Sequence, residues 1–99
     1  MIVVGGVFEV DPAERAAFIA DRVAMIRRSR AEDGCLEYTF AADPIEPGRV
    51  VLYERWTDQA ALDAHLAALR SDPPSPAPQT KASSSSITLY DVSGERPLG

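Results

Sequence analysis

Hydrophobic and polar residues repeat along this chain with two different periods, and segments of the two kinds follow one another in a regular order. Four segments have the two-residue alternation or the Val- and Ile-rich content that is typical of β-strands. Two longer segments place apolar residues every three or four positions, as an amphipathic helix does. The predicted strands are 2–10, 35–42, 49–56 and 87–92, and the predicted helices are 11–30 and 59–70.

Several residues at the borders of these segments indicate where the elements begin and end. Thr57 or Asp58 can cap the second helix. Gly34 follows the first helix and can adopt the left-handed conformation in which helices stop. The glycine pair at 5–6 interrupts the first strand and predicts either a bulge or the close approach of another group.

The order strand, helix, strand, strand, helix, strand predicts an α+β fold of the ferredoxin-like βαββαβ kind. Its four-stranded antiparallel sheet would carry both helices on one face. The alternation within 35–42 puts Leu36, Tyr38, Phe40 and Ala42 on the same face of their strand. The first and third strands are apolar on both sides, although a strand with one wet face should alternate cleanly. We therefore expect a second copy of the chain to cover the open face as a two-fold homodimer.

The segment 71–86, SDPPSPAPQTKASSSS, is rich in proline and serine and has almost nothing to bury. This composition predicts a flexible loop between the second helix and the last strand. The polar residues 93–99 are expected to fray as a tail. The 99 residues are thus interpreted as one domain, 1–99, with one mobile connection.

Composition and charge narrow the range of partners. The formal net charge of −5 argues against nucleic acid or an anionic membrane surface, because both attract basic proteins. No apolar run approaches the length of a membrane span, and the N-terminus lacks the features of a signal peptide. Cys35 is the only cysteine, so the chain has no internal disulfide, and a cytoplasmic location is expected.

The candidate chemistry is concentrated in 53–66, YERWTDQAALDAHL, which contains the only tryptophan and the only histidine. Glu54 and Trp56 share a face of their strand, and helical spacing puts His65 beside an apolar stripe that faces inward. Together with Tyr38 they predict a small pocket with one titratable ring.

Plainer interpretations of the same residues remain open. His65 could simply hydrogen-bond a neighbour, and the aromatic side chains could be ordinary core. Glu54 could lie on a wet edge or form an ion pair across a dimer, since an unpaired buried charge is costly. Cys35 is expected to behave as a small hydrophobe rather than a nucleophile. The spacing of histidine, cysteine and carboxylate residues predicts no metal site, and no dinucleotide or phosphate motif is present.

Two stretches of the sequence, EDGCLEYTFAAD and VVLYERWTDQAALDAHL, resemble the antibiotic biosynthesis monooxygenase family of small dimeric α/β barrels. The specific parts are Gly34-Cys35 followed by Tyr38, and Glu54-x-Trp56 followed by Leu62-x-x-His65-Leu66. The spacing from Trp56 to His65 is similar to that of the quinol monooxygenase branch. A haem-degrading branch shares the fold, but the place of its haem-ligating histidine falls at about Ser75 here, so haem binding is disfavoured.

The resemblance implies a homodimer that oxidises a quinol-like or phenolic small molecule with O2 and needs no metal, flavin or haem cofactor. His65 would be the catalytic residue that accepts the phenolic proton, and the substrate-binding residues would be Trp56, Tyr38, Phe40 and Glu54. Two other functions stay open: a binding or stress-response module that holds an aromatic ligand without converting it, and a cyclase or isomerase of phenolic polyketides.

Overall fold

The computed structural model describes residues 1–99, which form a four-stranded sheet with helices on one face. The strands are β1 (Ile2–Glu9), β2 (Cys35–Ala42), β3 (Arg49–Trp56) and β4 (Ser84–Asp91). The α-helices are α1 (Arg15–Ala20), α2 (Val23–Arg30) and α3 (Gln59–Ser71), and a short 3-10 turn, Pro12–Glu14, precedes α1.

All neighbouring strands are antiparallel, and their order across the sheet is β2-β3-β1-β4. With α1 and α2 packed on β2, and α3 packed on β3, this arrangement is the predicted α+β ferredoxin-like fold. The Asp58 carboxylate caps α3 by accepting a hydrogen bond of 2.8 Å from the Ala61 amide. The chain therefore turns sharply from the end of β3 into α3, which brings the helix back over the sheet.

The core lies between the helices and the face of the sheet that they cover. Antiparallel pairing aligns the inward residues in rows, so that Tyr38, Glu54 and Val4 lie side by side on β2, β3 and β1. The buried apolar residues are Ile2, Val4, Val10, Phe18, Ile26, Tyr38, Phe40, Val50, Leu52, Trp56 and Leu62.

The single helix predicted over 11–30 is wrong in one respect, because it is broken at Asp21 and Arg22. Both side chains reach the connection between α3 and β4. Asp21 Oδ2 accepts hydrogen bonds from the Thr80 amide, the Thr80 hydroxyl and the Gln79 amide at 2.7–3.1 Å. The Arg22 guanidinium donates to the carbonyls of Phe18 and Thr80. The break thus coincides with polar contacts to a distant segment, which no local periodicity reveals.

The last strand also differs from its prediction, because it begins at Ser84 rather than at residue 87. The serine run at 84–86 pairs with β1, where Ser86 lies opposite Val7 and Ser85 opposite Phe8. The connection therefore spans 72–83, and its flexibility stays a prediction.

One local expectation for the strands is corrected, and another is settled between its two alternatives. The pairing of β2 with β3 shifts between Cys35 and Glu37, which leaves Leu36 in a bulge with 44% of its surface exposed. Leu36 consequently does not share the buried face of Tyr38 and Phe40. The glycine pair at 5–6 forms no bulge and instead admits close neighbours, since a Cβ on Gly6 would lie 3.0 Å from the Ile87 side chain.

The face of the sheet opposite the helices is uncovered in the single chain. Val51, Tyr53 and Tyr90 lie on it with 37%, 39% and 54% of their surfaces exposed. This apolar exposure agrees with the strand pattern that predicted a partner subunit, and the homodimer itself stays a prediction. None of the helices has the length and apolar content needed to cross a membrane.

Candidate functional site

Four of the five predicted site residues meet between the sheet and α3. Tyr38 and Glu54 are register partners on β2 and β3, Trp56 ends β3, and His65 projects from α3. Their exposed fractions are 3%, 6%, 0% and 2% respectively. We refer to Tyr38, Glu54, Trp56 and His65 as the His65 cluster.

The rings of the cluster surround the imidazole. The His65 ring centroid lies 4.7 Å from that of Trp56 and 5.3 Å from that of Tyr38, and the Tyr38 and Trp56 rings meet edge-on at 6.4 Å. The α3 helix therefore aims its only titratable inward side chain at two aromatic walls.

Glu32 is a member of the site that the sequence analysis missed. It lies in the turn between α2 and β2, and its Oε1 lies 2.7 Å from His65 Nδ1. A carboxylate in this position favours the tautomer with the proton on Nδ1, which leaves the lone pair on Nε2. The sequence shows Glu32 immediately before Asp33 and Gly34, but neither period nor motif indicates that a turn residue reaches a helix 33 positions later.

The turn that carries Glu32 is fixed against the start of α3. Gly34 has a φ of +82°, in the left-handed region, and its carbonyl accepts a hydrogen bond of 2.9 Å from the Thr57 amide. A Cβ at residue 34 would lie 2.5 Å from the Ala61 Cβ and 2.7 Å from the Thr57 hydroxyl oxygen. Only glycine fits this contact, and the contact holds Glu32 within reach of His65.

Glu54 is buried and is satisfied by a neighbour on its own strand. The Trp56 indole Nε1 donates a hydrogen bond of 2.9 Å to Glu54 Oε1. Burial raises the pKa of Glu54 above its ordinary value, and the hydrogen bond from Trp56 and the charge of His65 offset this only in part. The wet-edge and cross-dimer interpretations of Glu54 therefore do not describe its place in the chain.

Tyr38 keeps its phenolic proton over the whole physiological range. Burial, and secondarily the nearby Glu54 carboxylate, raise the pKa of Tyr38 far above its ordinary value. Its hydroxyl lies near the buried Ser29 side chain of α2. Burial likewise raises the pKa of the Cys35 thiol, which makes a thiolate nucleophile less available.

Phe40 is on the same strand as Tyr38 but does not contact the Trp56 or His65 rings. Its ring packs on Phe8 at 5.5 Å and on Phe18 at 6.3 Å, and it reaches the His65 cluster only through Tyr38 at 6.1 Å. Phe40 thus supports the aromatic wall from behind.

The His65 cluster is closed in this structure, and the main cavities lie outside it. One cavity, about 440 Å³, lies between α1–α2 and the prolines of the connection. A second, about 400 Å³, is a groove lined by Arg30, Cys35, Leu36 and Glu37. Cys35, one of the residues that line this groove, is the register partner of Trp56 in the sheet and packs against the core.

The arrangement can accept a proton from an aromatic hydroxyl. It provides an imidazole with one nitrogen held by a carboxylate, two aromatic walls and a second buried carboxyl. The imidazolium that forms would be stabilised by Glu32. No group of three or more histidine, cysteine or carboxylate side chains is placed to hold a metal ion.

Comparisons with known proteins agree on one family. Residues 1–70 match the model of the family described as "Antibiotic biosynthesis monooxygenase". Over 65 residues, 66% of this chain, the sequence is 40% identical to an uncharacterized Synechocystis protein, sll1783, and 32% identical to the Bacillus subtilis protein named "Putative monooxygenase YcnE". These matches cover 44% and 68% of the relatives' own lengths, so the chain spans less than half of the Synechocystis protein.

The fold itself recurs in solved structures. A crystal structure from Deinococcus radiodurans superimposes with a TM-score of 0.79 over 100% of this chain and 99% of that chain, at 23% identity. At this identity the likeness supports the ferredoxin-like fold alone.

Proposed function

Because the chain belongs to the antibiotic biosynthesis monooxygenase family, we propose that it oxidises an aromatic quinol or phenol with O2, without a metal or organic cofactor. The observation that carries the proposal is the pairing of His65 with Glu32 at 2.7 Å, directly beside the Trp56 and Tyr38 rings. An imidazole held in this way is suited to deprotonate a phenolic substrate that stacks on the same walls.

The first step of the proposed reaction is a proton transfer to His65. Glu32 accepts the Nδ1 proton, so Nε2 presents a lone pair to the hydroxyl of the substrate. The resulting imidazolium is in direct contact with Glu32, whose carboxylate stabilises the new positive charge. Tyr38 stays neutral and forms one aromatic wall beside the bound ring.

The second step needs no reductant other than the substrate. The electron-rich phenolate of a quinol supplies four electrons to O2, so one oxygen atom enters the ring, the other leaves as water, and the product is a hydroxyquinone. The protein holds the phenolate in a place from which water is excluded. The nearly complete burial of Trp56 and His65 supports this role.

Substrate access in this proposal runs through the groove beside Cys35. The groove is large enough for a single aromatic ring, at about 400 Å³, and its lining residue Cys35 is the register partner of Trp56. The proposal also includes a homodimer through the open face of the sheet, which would bury the exposed Tyr53 and Tyr90 side chains. A mass in solution of twice 10.7 kDa is then expected.

Oxygen consumption tests the proposal. The purified protein, treated with a chelator, is mixed with a panel of reduced quinols and anthrone-like phenols, and uptake is compared with the autoxidation of each substrate. We expect uptake well above autoxidation, and a loss of about 100-fold or more in His65→Ala, since a general base contributes about 10²–10⁴-fold. Glu32→Gln should also lower turnover, because it removes the charge that stabilises the imidazolium.

Leu62→Ala is the matched control, because Leu62 is also buried on α3 but carries no titratable group. An equal loss of turnover in Leu62→Ala and His65→Ala would mean that packing, not proton transfer, is responsible. Uptake equal to autoxidation together with saturable ligand binding would instead identify a binding module. A product of unchanged mass, formed without oxygen uptake, would identify an isomerase or cyclase.

A further inference from the structure

The distribution of charge around the His65 cluster limits which charged groups the substrate ring can carry, a limit that the proposed reaction alone does not set. Two carboxyl groups lie at the site: Glu54 on β3, with 6% of its surface exposed, and Glu32 in the α2–β2 turn, with 23% of its side chain exposed. His65 is the only group within the cluster that can carry a positive charge, and it is already paired with Glu32.

The guanidinium groups of the nearby arginines bind other partners and do not point into the cluster. Arg30 Nε donates to the backbone carbonyl of Tyr38 at 2.8 Å, and the rest of its side chain faces the outer groove. The Arg22 guanidinium lies 3.5 Å above the Phe18 ring and binds two backbone carbonyls. Arg55 is on the opposite face of the sheet, 3.4 Å from Glu95. A buried anion in the cluster would therefore find no free cation.

From this geometry we infer that the ring that meets His65 is uncharged, and that Glu54 is the residue that rejects rings bearing a carboxylate. The inference rests on the proposed function, since it concerns the substrate of the same site. A carboxylate on the reacting ring would be desolvated beside Glu54 without a partner, and like charges at such distances disfavour binding strongly. A charged substituent escapes this restriction only where a linker carries it out to the groove lined by Arg30, whereas a carboxylate attached directly to the reacting ring does not.

The charge of Glu54 can be removed without loss of its one side-chain hydrogen bond. The Trp56 indole N–H donates to one carboxylate oxygen at 2.9 Å, and the amide oxygen of a glutamine would accept the same hydrogen bond. The substitution Glu54→Gln therefore removes the charge while it retains the acceptor for Trp56. This makes the charge testable separately from the packing.

The test compares two ligands of the same shape, 2,5-dihydroxybenzoate and 2,5-dihydroxybenzamide, which differ in charge. Binding is measured without oxygen, so that no turnover occurs, by quenching of the fluorescence of Trp56, which is the only tryptophan and lies 4.7 Å from His65. Isothermal titration calorimetry provides a second readout. For the native protein we expect the amide to bind about 100-fold more tightly than the carboxylate.

In Glu54→Gln the difference between the two ligands should shrink to about tenfold or less, chiefly because the carboxylate binds more tightly. Equal affinities of the native protein for the two ligands would overturn the inference, as would a failure of the amide to bind. An unchanged difference in Glu54→Gln would remove Glu54 from the role.

The comparison of the two ligands on the native protein alone keeps the inference testable if the variant does not fold. Selective binding without oxygen uptake in the separate turnover assay would contradict the proposed reaction but leave the charge selectivity standing.

Discussion

Replacement of Gly34 by alanine tests how the turn between α2 and β2 is held against α3. The residue has a φ of +82°, a conformation that costs an L-residue about 1–2 kcal/mol. The added Cβ would also lie 2.5 Å from the Ala61 Cβ and 2.7 Å from the Thr57 hydroxyl oxygen. The hydroxyl can rotate away, but the Ala61 Cβ is fixed to the helix, so the backbone of the turn or of α3 must move.

The expected cost is the sum of these two effects, reduced by one gain. Overpacking of this kind typically costs about 1–3 kcal/mol. Alanine also restricts the unfolded chain, which returns about 0.4–1 kcal/mol. We therefore expect Gly34→Ala to lower the free energy of unfolding by about 2–4 kcal/mol, a large share of the roughly 5–15 kcal/mol of a typical domain.

Urea denaturation, followed by circular dichroism, measures the change. Gly94→Ala is the control, because nothing lies within 4 Å of a Cβ there, and it should stay within about 0.5 kcal/mol of the native protein. Adding Ala61→Gly to Gly34→Ala should recover the steric part of the loss but not the part due to φ, which gives a coupling energy of about 1–2 kcal/mol. A loss no larger than that of the control, or a coupling of zero, would refute this account of the turn.

Two further predictions concern carboxylates. Burial raises the pKa of Glu54, so its contribution to stability is fully present below the ordinary value of 4.5 and is lost as the pH rises through the folded pKa. The stability of Glu54→Gln relative to the native protein should therefore increase from pH 4.5 upward. Urea titrations that show a stability difference independent of pH would contradict this. Asp21→Ala should speed cleavage by a lysine-specific protease about tenfold, because Lys81 is the only lysine and follows Thr80, which Asp21 binds through two hydrogen bonds. Asp43→Ala, which removes a similar carboxylate from the turn at 43–46, is the control and should leave the cleavage rate unchanged.

The parts of the fold that depend on local pattern could be predicted from the sequence. The bounds of β2 and β3 agree with the alternation and the flanking turn residues, and α3 begins directly after a capping residue, as predicted. The topology followed from the order of the elements, because few arrangements of two βαβ-like halves are sterically accessible. In the site, the shared face of Glu54 and Trp56 and the inward direction of His65 follow directly from the periods of a strand and a helix.

The parts that depend on long-range polar contacts could not be predicted in this way. Glu32 approaches His65 across 33 positions, and Thr80 approaches Asp21 across 59. In each case a carboxylate accepts hydrogen bonds from a segment whose place is known only once the sheet has formed. The bulge at Leu36 is similar, because its sequence continues the alternation and only the pairing with β3 shows the shift.

The burial of Glu54 is difficult to explain by stability alone. Its row neighbours are Tyr38 and Val4, among which an apolar side chain would avoid the cost of desolvating a carboxyl group. If its task were only to accept the Trp56 N–H, glutamine would serve as well and would carry no charge to desolvate. A carboxyl group retained in such a place, next to an imidazole that already has a carboxylate partner, has a physical purpose only where charge matters for binding or proton transfer. Glu54→Gln separates these explanations: both predict a more stable protein at neutral pH, but a structural role predicts unchanged turnover and selectivity, whereas a role for the charge predicts the loss of one or both.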